Sequence, residues 1–139
     1  MAKIAIDKEK LMDLAAKARD NAYAPYSHFQ VGAALLTSSG EIFLGANVEN
    51  ASYGLTCCAE RVAVFKAVSE GYCHFLALAL SAGEKRNILP CGACLQVLQE
   101  FSADLLVIFA DDQGSLAEIS LKELLPHGFC QEDLQKNKR

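Results

Sequence analysis

Three cysteines and one glutamate form the part of this sequence that could do chemistry. Three thiolates can hold one zinc ion and leave its fourth coordination position open, and that open position distinguishes a catalytic zinc from a structural one. The glutamate is not needed as a ligand, so it is a candidate proton carrier beside a metal-activated water. These residues stand in two short motifs, Cys58-Ala59-Glu60 and Pro90-Cys91-Gly92-Ala93-Cys94.

Each motif is predicted to open a helix, the first over residues 58–70 and the second over residues 91–101. Cys91 and Cys94 are three residues apart, which places both sulfurs on one face of the first helical turn. Because the N-terminal end of a helix carries a partial positive charge, both helices favour the thiolate form that a metal needs.

Arg61 directly follows Glu60 and is a candidate for charge compensation. Three thiolates outweigh the charge of one zinc ion by one negative unit, which opposes the ionisation of a bound water. A guanidinium close to the ligand sulfurs would offset this surplus. The alternative is that Arg61 is an ordinary surface residue of its helix. We favour the compensating role because no other cation is so near in the sequence.

Other uses of the cysteines stay open on spacing alone. The C-x-x-C pair could be a redox pair, or half of a structural zinc site that takes its fourth ligand from another cysteine or a histidine. The redox interpretation leaves Cys58 and Glu60 without a role. Cys57 competes with Cys58 as the first ligand, and Cys58 is preferred because Glu60 follows it by two residues. The remaining cysteines, Cys57, Cys73 and Cys130, then read as small core or surface residues.

Composition favours a compact protein with a small substrate. The chain has 139 residues, of which 52% are hydrophobic and 22% charged, and its net charge is −4. This length fits one domain that buries its own core. An acidic chain lacks the basic surface that grips a nucleic-acid backbone, so we expect no nucleic-acid partner. No apolar run reaches the length of a membrane span, and the N-terminus lacks a signal-peptide core. We therefore expect a cytoplasmic protein whose thiols stay reduced.

Strands and helices alternate along the chain, which predicts an α/β layered domain. Asp7 is predicted to cap the first helix. We expect helices over 7–20, 58–70, 91–101 and 120–125, a hairpin of strands 29–37 and 41–48, and buried strands over 75–82 and 105–110. The charged tail, about 134–139, is predicted to fray.

The two metal motifs resemble the zinc deaminase signature H-x-E followed by P-C-x-x-C, in its three-cysteine variant. Two further segments, residues 26–35 and 45–54, are similar to those of the small homotetrameric cytidine deaminases. They read YSHFQVGAAL and GANVENASYG. The resemblance runs from about Leu11 to Phe129. It implies a three-layer α/β/α fold with a central mixed five-stranded sheet, and a single zinc-dependent deaminase domain over 1–139.

The activity that this resemblance implies is hydrolytic deamination of cytidine and deoxycytidine to uridine and deoxyuridine, with release of ammonia. The resemblance also implies that one zinc ion per subunit is held by Cys58, Cys91 and Cys94, and that Glu60 carries the protons. The family also implies a homotetramer with active sites near subunit interfaces, and a role in pyrimidine salvage.

Five residues match substrate positions of that family. Phe29 corresponds to a phenylalanine that packs on the pyrimidine, and Asn47 and Glu49 correspond to residues that hydrogen-bond the ribose hydroxyls. Asn47 and Glu49 alternate at the end of a predicted strand, so their side chains point to one side. Tyr53 is expected to line the pocket. Phe129 resembles an aromatic that closes a neighbouring subunit's pocket, with local packing of its own tail as the alternative.

Three alternative functions remain at this point. A zinc deaminase of another aminated base or of a nucleoside antibiotic would share the same metal motifs. The Asn47 and Glu49 pair and the acidic composition favour a free nucleoside instead. A zinc-stabilised binding module would need four protein ligands, and a thiol oxidoreductase would use only Cys91 and Cys94.

Overall fold

The computed structural model describes residues 3–135. These residues form five helices and five strands, and a 3₁₀ turn covers Tyr53–Leu55. The elements are α1 Lys8–Arg19, β1 Gly32–Thr37, β2 Ile42–Ala46, α2 Ala59–Ser69, β3 Phe75–Ser81, α3 Gly92–Phe101, β4 Leu106–Ala110, β5 Leu116–Ser120, α4 Leu121–Leu124 and α5 Gln131–Gln135. Among the described residues, no helix is long and apolar enough to cross a membrane.

The predicted elements are all present, with ends that differ by up to three residues. Asp7 caps α1 as predicted, because its side chain accepts a hydrogen bond from the Lys10 backbone nitrogen at 3.1 Å. Periodicity missed β5 and α5. Strand β5 has only exposed and half-buried positions, so it lacks the apolar run that identified β3 and β4. The tail predicted to fray begins within α5, and residues 136–139 lie outside the described residues.

The sheet is mixed and has the strand order β2-β1-β3-β4-β5. Strands β3 and β4 are parallel, and the other neighbouring pairs are antiparallel, including the predicted β1–β2 hairpin. Helix α1 covers one face of the sheet and helices α2 and α3 cover the other. This arrangement confirms the predicted three-layer α/β/α fold.

Strand β1 is buried on both faces, and its side chains alternate between the two helical layers. Ala34 and Leu36 pack with Leu11 and Ala15 of α1. Ala33 and Leu35 belong to the larger cluster on the opposite face, which includes residues of α2, α3 and β3. Because side chains alternate along the strand, this one strand contributes residues to the hydrophobic clusters on both faces of the sheet.

The connections between strands bring the two metal motifs to one edge of the sheet. Strands β2 and β3 both run antiparallel to β1, so they are parallel to each other, and α2 connects them. Helix α3 connects β3 to the parallel strand β4 in the same way. Because each connecting helix begins beyond the carboxyl end of a strand, both helix N-termini lie at that edge.

Two glycines allow the helical layers to lie close to the sheet. A Cβ atom added at Gly32 would lie 1.9 Å from the Ala15 carbonyl oxygen of α1. A Cβ atom added at Gly45 would lie 2.3 Å from the Ala59 carbonyl oxygen of α2. Both obstacles are backbone atoms, so a side chain at either position would displace a whole helix.

We predict that Gly45→Ala lowers the free energy of unfolding by about 3 kcal/mol, in the upper range for overpacking a core. The displaced backbone belongs to the first turn of α2, so zinc retention should fall as well. Denaturant unfolding and metal content measure the two effects.

The matched control is Gly54→Ala, because a Cβ atom there meets nothing within 4 Å. This control should unfold within about 0.5 kcal/mol of the parent protein. Equal stability of the two variants would contradict the close approach of α2 to the sheet.

Candidate metal centre and substrate cleft

Three sulfur atoms from two helix ends form a compact cluster. The Sγ atoms of Cys58, Cys91 and Cys94 all lie within 4.8 Å of one another. The Cys58–Cys91 separation is 4.0 Å and the Cys91–Cys94 separation is 3.5 Å. Tetrahedral zinc with Zn–S bonds of about 2.3 Å holds its sulfurs about 3.8 Å apart, so the cluster fits zinc.

The cap positions of α2 and α3 hold two of the three ligands. Cys58 is the N-cap residue of α2 and Cys91 that of α3, and neither side chain makes a capping hydrogen bond. A serine or aspartate would turn its oxygen back toward the helix at these positions. The cysteine sulfurs instead face each other at 4.0 Å, at the positive ends of the two helices.

Within the described part of the chain, no fourth histidine, cysteine or carboxylate joins this cluster. A purely structural zinc site would need such a ligand. Cys57, Cys73 and Cys130 are free thiols outside the cluster. The cluster can therefore hold zinc with one position left for a non-protein ligand.

Arg61 lies against the cluster, in the place that charge compensation requires. Its Nη2 atom is 3.6 Å from the Cys58 sulfur and 3.4 Å from the Thr56 carbonyl oxygen. A hydrogen bond from the Cys94 thiol, together with this guanidinium, lowers the pKa of Cys58 to about 5. The pKa of Cys94 is raised, because its proton is held by the Cys58 thiolate.

Glu60 lies in the first turn of α2 and is only 5% exposed. Burial raises the pKa of this carboxyl group to about 7, and the negative charge of Cys58 acts in the same direction. A carboxyl group that titrates near neutral pH can both take up and release a proton during a reaction. Glu60 is not a member of the sulfur cluster, so the cluster can hold zinc without this side chain.

Asn47 lies just after β2 and is 8% exposed. Its Oδ1 atom accepts a hydrogen bond from the Val31 backbone nitrogen at 2.8 Å. Its Nδ2 atom donates to the Phe29 carbonyl oxygen, also at 2.8 Å. The amide therefore fixes the backbone on both sides of Gln30, and one Nδ2 hydrogen remains for a further acceptor.

Glu49 is bound to the turn that precedes Phe29. Its Oε1 atom accepts from the backbone nitrogens of Tyr26 and Ser27 at 3.0 and 3.1 Å, and its Oε2 atom accepts from the Ser27 hydroxyl. These hydrogen bonds, with that of the Ser27 hydroxyl the strongest influence, lower the pKa of Glu49. Asn47 and Glu49 thus both reach the segment 26–31.

A cleft of about 340 Å³ opens beside Glu49. Tyr26 and Tyr53 form one wall, with their rings edge to face at 5.8 Å. The other lining residues are Ser27 and Thr56. The Thr56 carbonyl also accepts from Arg61, which contacts Cys58, so these two contacts link the lining of the cleft to the metal cluster.

Phe29 and Phe129 are absent from the lining of this cleft. Phe29 is half-buried against the larger core cluster, and the Lys85 ammonium lies 4.0 Å from the centre of its ring. Phe129 is 56% exposed. Its backbone is held by the Gln96 side chain, which donates to the Phe129 carbonyl at 2.5 Å and accepts from its nitrogen at 3.3 Å.

Four residues of this region were not singled out from the sequence: Ser27, Thr56, Lys85 and Gln96. Ser27 lies within a segment that resembles the deaminases, so that segment was a usable signal. Thr56 and Gln96 act through contacts with residues that are adjacent only in the fold. Nothing in the local pattern around Lys85 indicates its contact with Phe29.

Comparisons with known proteins agree with this geometry. The family described as "Cytidine and deoxycytidylate deaminase zinc-binding region" matches residues 5–110. A cytidine deaminase of Halalkalibacterium halodurans is 52% identical over 130 residues, which cover 93% of this chain and 98% of that protein. A probable cytidine deaminase of Dictyostelium discoideum is 52% identical over 127 residues, covering 91% and 86%.

The crystal structure of cytidine deaminase from Burkholderia pseudomallei superimposes with a TM-score of 0.83 at 46% identity, covering 89% of this chain and 100% of that one. The family resemblance drawn from the motifs is thereby confirmed. The chain belongs to the zinc-binding cytidine and deoxycytidylate deaminase family.

Proposed function

We propose that residues 1–139 form a single zinc-dependent deaminase domain, a hydrolase that converts cytidine and deoxycytidine to uridine and deoxyuridine with release of ammonia. One observation carries this proposal: a buried glutamate whose carboxyl group titrates near neutral pH adjoins a three-sulfur cluster that can hold zinc. The names of the similar proteins support the choice of substrate.

Cys58, Cys91 and Cys94 would hold the zinc ion, whose contribution when bound is to lower the pKa of a water toward neutrality. Glu60 acts as the general base that takes a proton from this water and delivers it to N3 of the cytosine ring. The remaining hydroxyl group of the water becomes bonded to C4, and Glu60 carries the proton of that hydroxyl to the exocyclic amine. The C4–N bond then breaks, which leaves a C4 carbonyl and releases ammonia. Burial suits Glu60 to both transfers, because its raised pKa makes it a competent acid as well as a base.

Recognition of the nucleoside is assigned to residues around the cleft. Glu49 and Asn47 hydrogen-bond the ribose hydroxyls, Phe29 packs on the pyrimidine, and Tyr53 lines the pocket. The Glu49 carboxylate faces the cleft and its pKa is lowered, so it is an ionised acceptor at neutral pH. Asn47 has one amide hydrogen left after it binds the Phe29 carbonyl.

The same proposal includes a homotetramer with active sites near subunit interfaces. Tyr53, Leu55 and Phe129 are 74%, 70% and 56% exposed, an unusual degree for residues of this kind. A neighbouring subunit would cover them, with Phe129 closing the pocket of that neighbour. A cytoplasmic location suits the free thiols, and the products return to the pyrimidine pool, as in salvage.

We predict that the purified protein with zinc removes the cytosine absorbance band of cytidine and of deoxycytidine and releases one ammonia per nucleoside. Adenosine, guanine and an aminonucleoside antibiotic should react at less than about a hundredth of that rate, because a site that hydrogen-bonds its substrate can reject a mismatched one by about 10⁴–10⁵-fold. Faster turnover of any of these alternatives would refute the assignment of substrate.

We predict that Glu60→Gln reduces kcat by about 10²–10⁴-fold, the range for loss of general acid–base catalysis. Zinc content and the circular dichroism spectrum should not change, because the amide has the same shape. The control is Glu70→Gln, which alters an exposed carboxylate at the other end of α2. Normal turnover by the Glu60→Gln protein would show that another group moves the protons.

We predict that Arg61→Ala weakens zinc retention by about 10–100-fold, as is typical for groups that support metal ligands. The cause is the loss of the positive charge beside the Cys58 sulfur. Competition with a chelator measures the affinity, and Arg86→Ala serves as a control because Arg86 is exposed and contacts Gly83 instead. Equal retention by the two variants would make Arg61 a bystander.

A further inference from the structure

The turn that carries Phe29 is tied to Glu49 by an unusual number of hydrogen bonds. The Glu49 carboxylate accepts from the backbone nitrogens of Tyr26 and Ser27 and from the Ser27 hydroxyl. The two partners are 22 and 23 residues away in the sequence, so these bonds join two separate segments. The position of this carboxylate therefore depends on the conformation of the turn.

The Ser27 hydroxyl connects the two ends of this arrangement. It donates its hydrogen to Glu49 Oε2, and the same oxygen accepts a hydrogen bond from the Phe29 backbone nitrogen at 3.0 Å. A single hydroxyl thus bridges the carboxylate and the backbone of the aromatic residue. Hydrogen bonds to a charged acceptor are the stronger kind, so the bridge fixes both partners.

The backbone between Ser27 and Phe29 needs such support. His28 has a φ angle of 59°, in the left-handed region that residues other than glycine rarely adopt. Its nitrogen donates to the Ala24 carbonyl at 3.0 Å, which closes the turn on the other side. A turn with this strain keeps its shape only when its neighbours hold it.

The use of the two Glu49 oxygens indicates what the bridge is for. Oε1 already accepts two backbone hydrogen bonds, whereas Oε2 accepts only from Ser27. A carboxylate oxygen has two lone-pair positions, so among the described residues Oε2 keeps one acceptor position unused, on a side chain that lines the cleft. The Ser27 hydroxyl determines the direction of that free position.

We propose that Ser27 is a positioning residue that couples ribose recognition by Glu49 to base packing by Phe29. This inference rests on the proposed function, because it takes the nucleoside as the occupant of the cleft. The hydroxyl does not touch the reacting atoms. It orients the Glu49 oxygen that receives the ribose hydroxyl and holds the Phe29 backbone in register with it.

The test compares cytidine with 2′,3′-dideoxycytidine, which lacks both hydroxyls that Glu49 and Asn47 would bind. Ser27→Ala should lower kcat/KM for cytidine about tenfold, mostly through KM, and should lower it less for the dideoxy substrate, which loses only the support of Phe29. Ser27→Thr should restore most of the cytidine activity because it keeps the hydroxyl. Ser69→Ala is the control, since it also removes one exposed hydroxyl hydrogen bond.

A double-mutant cycle with Glu49→Gln gives a second readout. If Ser27 acts through Glu49, Ser27→Ala should add little to the loss caused by Glu49→Gln. Equal losses for cytidine and the dideoxy substrate, or fully additive losses in the cycle, would overturn the proposal. Such results would leave Ser27 with a general structural role.

Equilibrium binding to the Glu60→Gln protein separates this inference from the proposed function. Calorimetry with cytidine and 2′,3′-dideoxycytidine measures recognition without turnover. A preference for cytidine that Ser27→Ala abolishes would support the role of Ser27 even if the parent protein deaminates neither nucleoside. Failure to bind either nucleoside would overturn both proposals.

Discussion

Three cysteine sulfurs lie within 4.8 Å of one another, and as zinc ligands they would carry three like charges, so the rest of the site depends on how the fold offsets that repulsion. The zinc ion neutralises most of the charge, but the sulfurs must be held together before it binds. Two helix N-termini and the Arg61 guanidinium supply positive charge at the required place. The parallel relation of β2, β3 and β4 makes this possible, since it directs the starts of α2 and α3 to one edge of the sheet. The order and direction of the strands therefore determine that the cysteines of the two motifs lie together.

Burial and the negative charge of the sulfur cluster also explain why Glu60 is suited to proton transfer. A carboxylate beside a thiolate at low exposure is disfavoured, and the pKa of Glu60 rises for that reason. An exposed glutamate at the same sequence distance would stay ionised and would be a poor acid. Burial therefore converts an ordinary helix residue into a group that can carry protons in both directions. The close approach of α2 to the sheet at Gly45 fixes the backbone at Ala59, the residue that precedes this glutamate.

Local patterns predicted the parts of the structure in which the signal lies within a few residues. These parts are the cluster of the three cysteines, the Asp7 cap, the β1–β2 hairpin and the buried strands β3 and β4. Strand β5 was missed because an edge strand with half-exposed side chains has no continuous apolar run. The order of the strands came from the family resemblance, since periodicity contains no information about which strands pair. Contacts such as Gln96 with Phe129 join residues 33 positions apart, and only the folded chain shows them.

Asn47 and Glu49 show that one side chain can have both a structural role and a proposed binding role, which residue types alone do not reveal. Sequence reasoning treated them as ligands of a sugar, yet in the structure both also build the turn that carries Phe29. In the proposed binding mode, replacing either residue would remove a contact with the ribose and would also loosen the backbone around Phe29. A large loss of activity at these positions therefore cannot be divided between the two effects by single substitutions. Truncated substrates can separate the two effects, because a nucleoside without ribose hydroxyls would lack the ribose contact while the turn of the protein stays intact. This comparison of substrates is most informative at Ser27, because its hydroxyl is bonded both to the Glu49 carboxylate and to the Phe29 backbone.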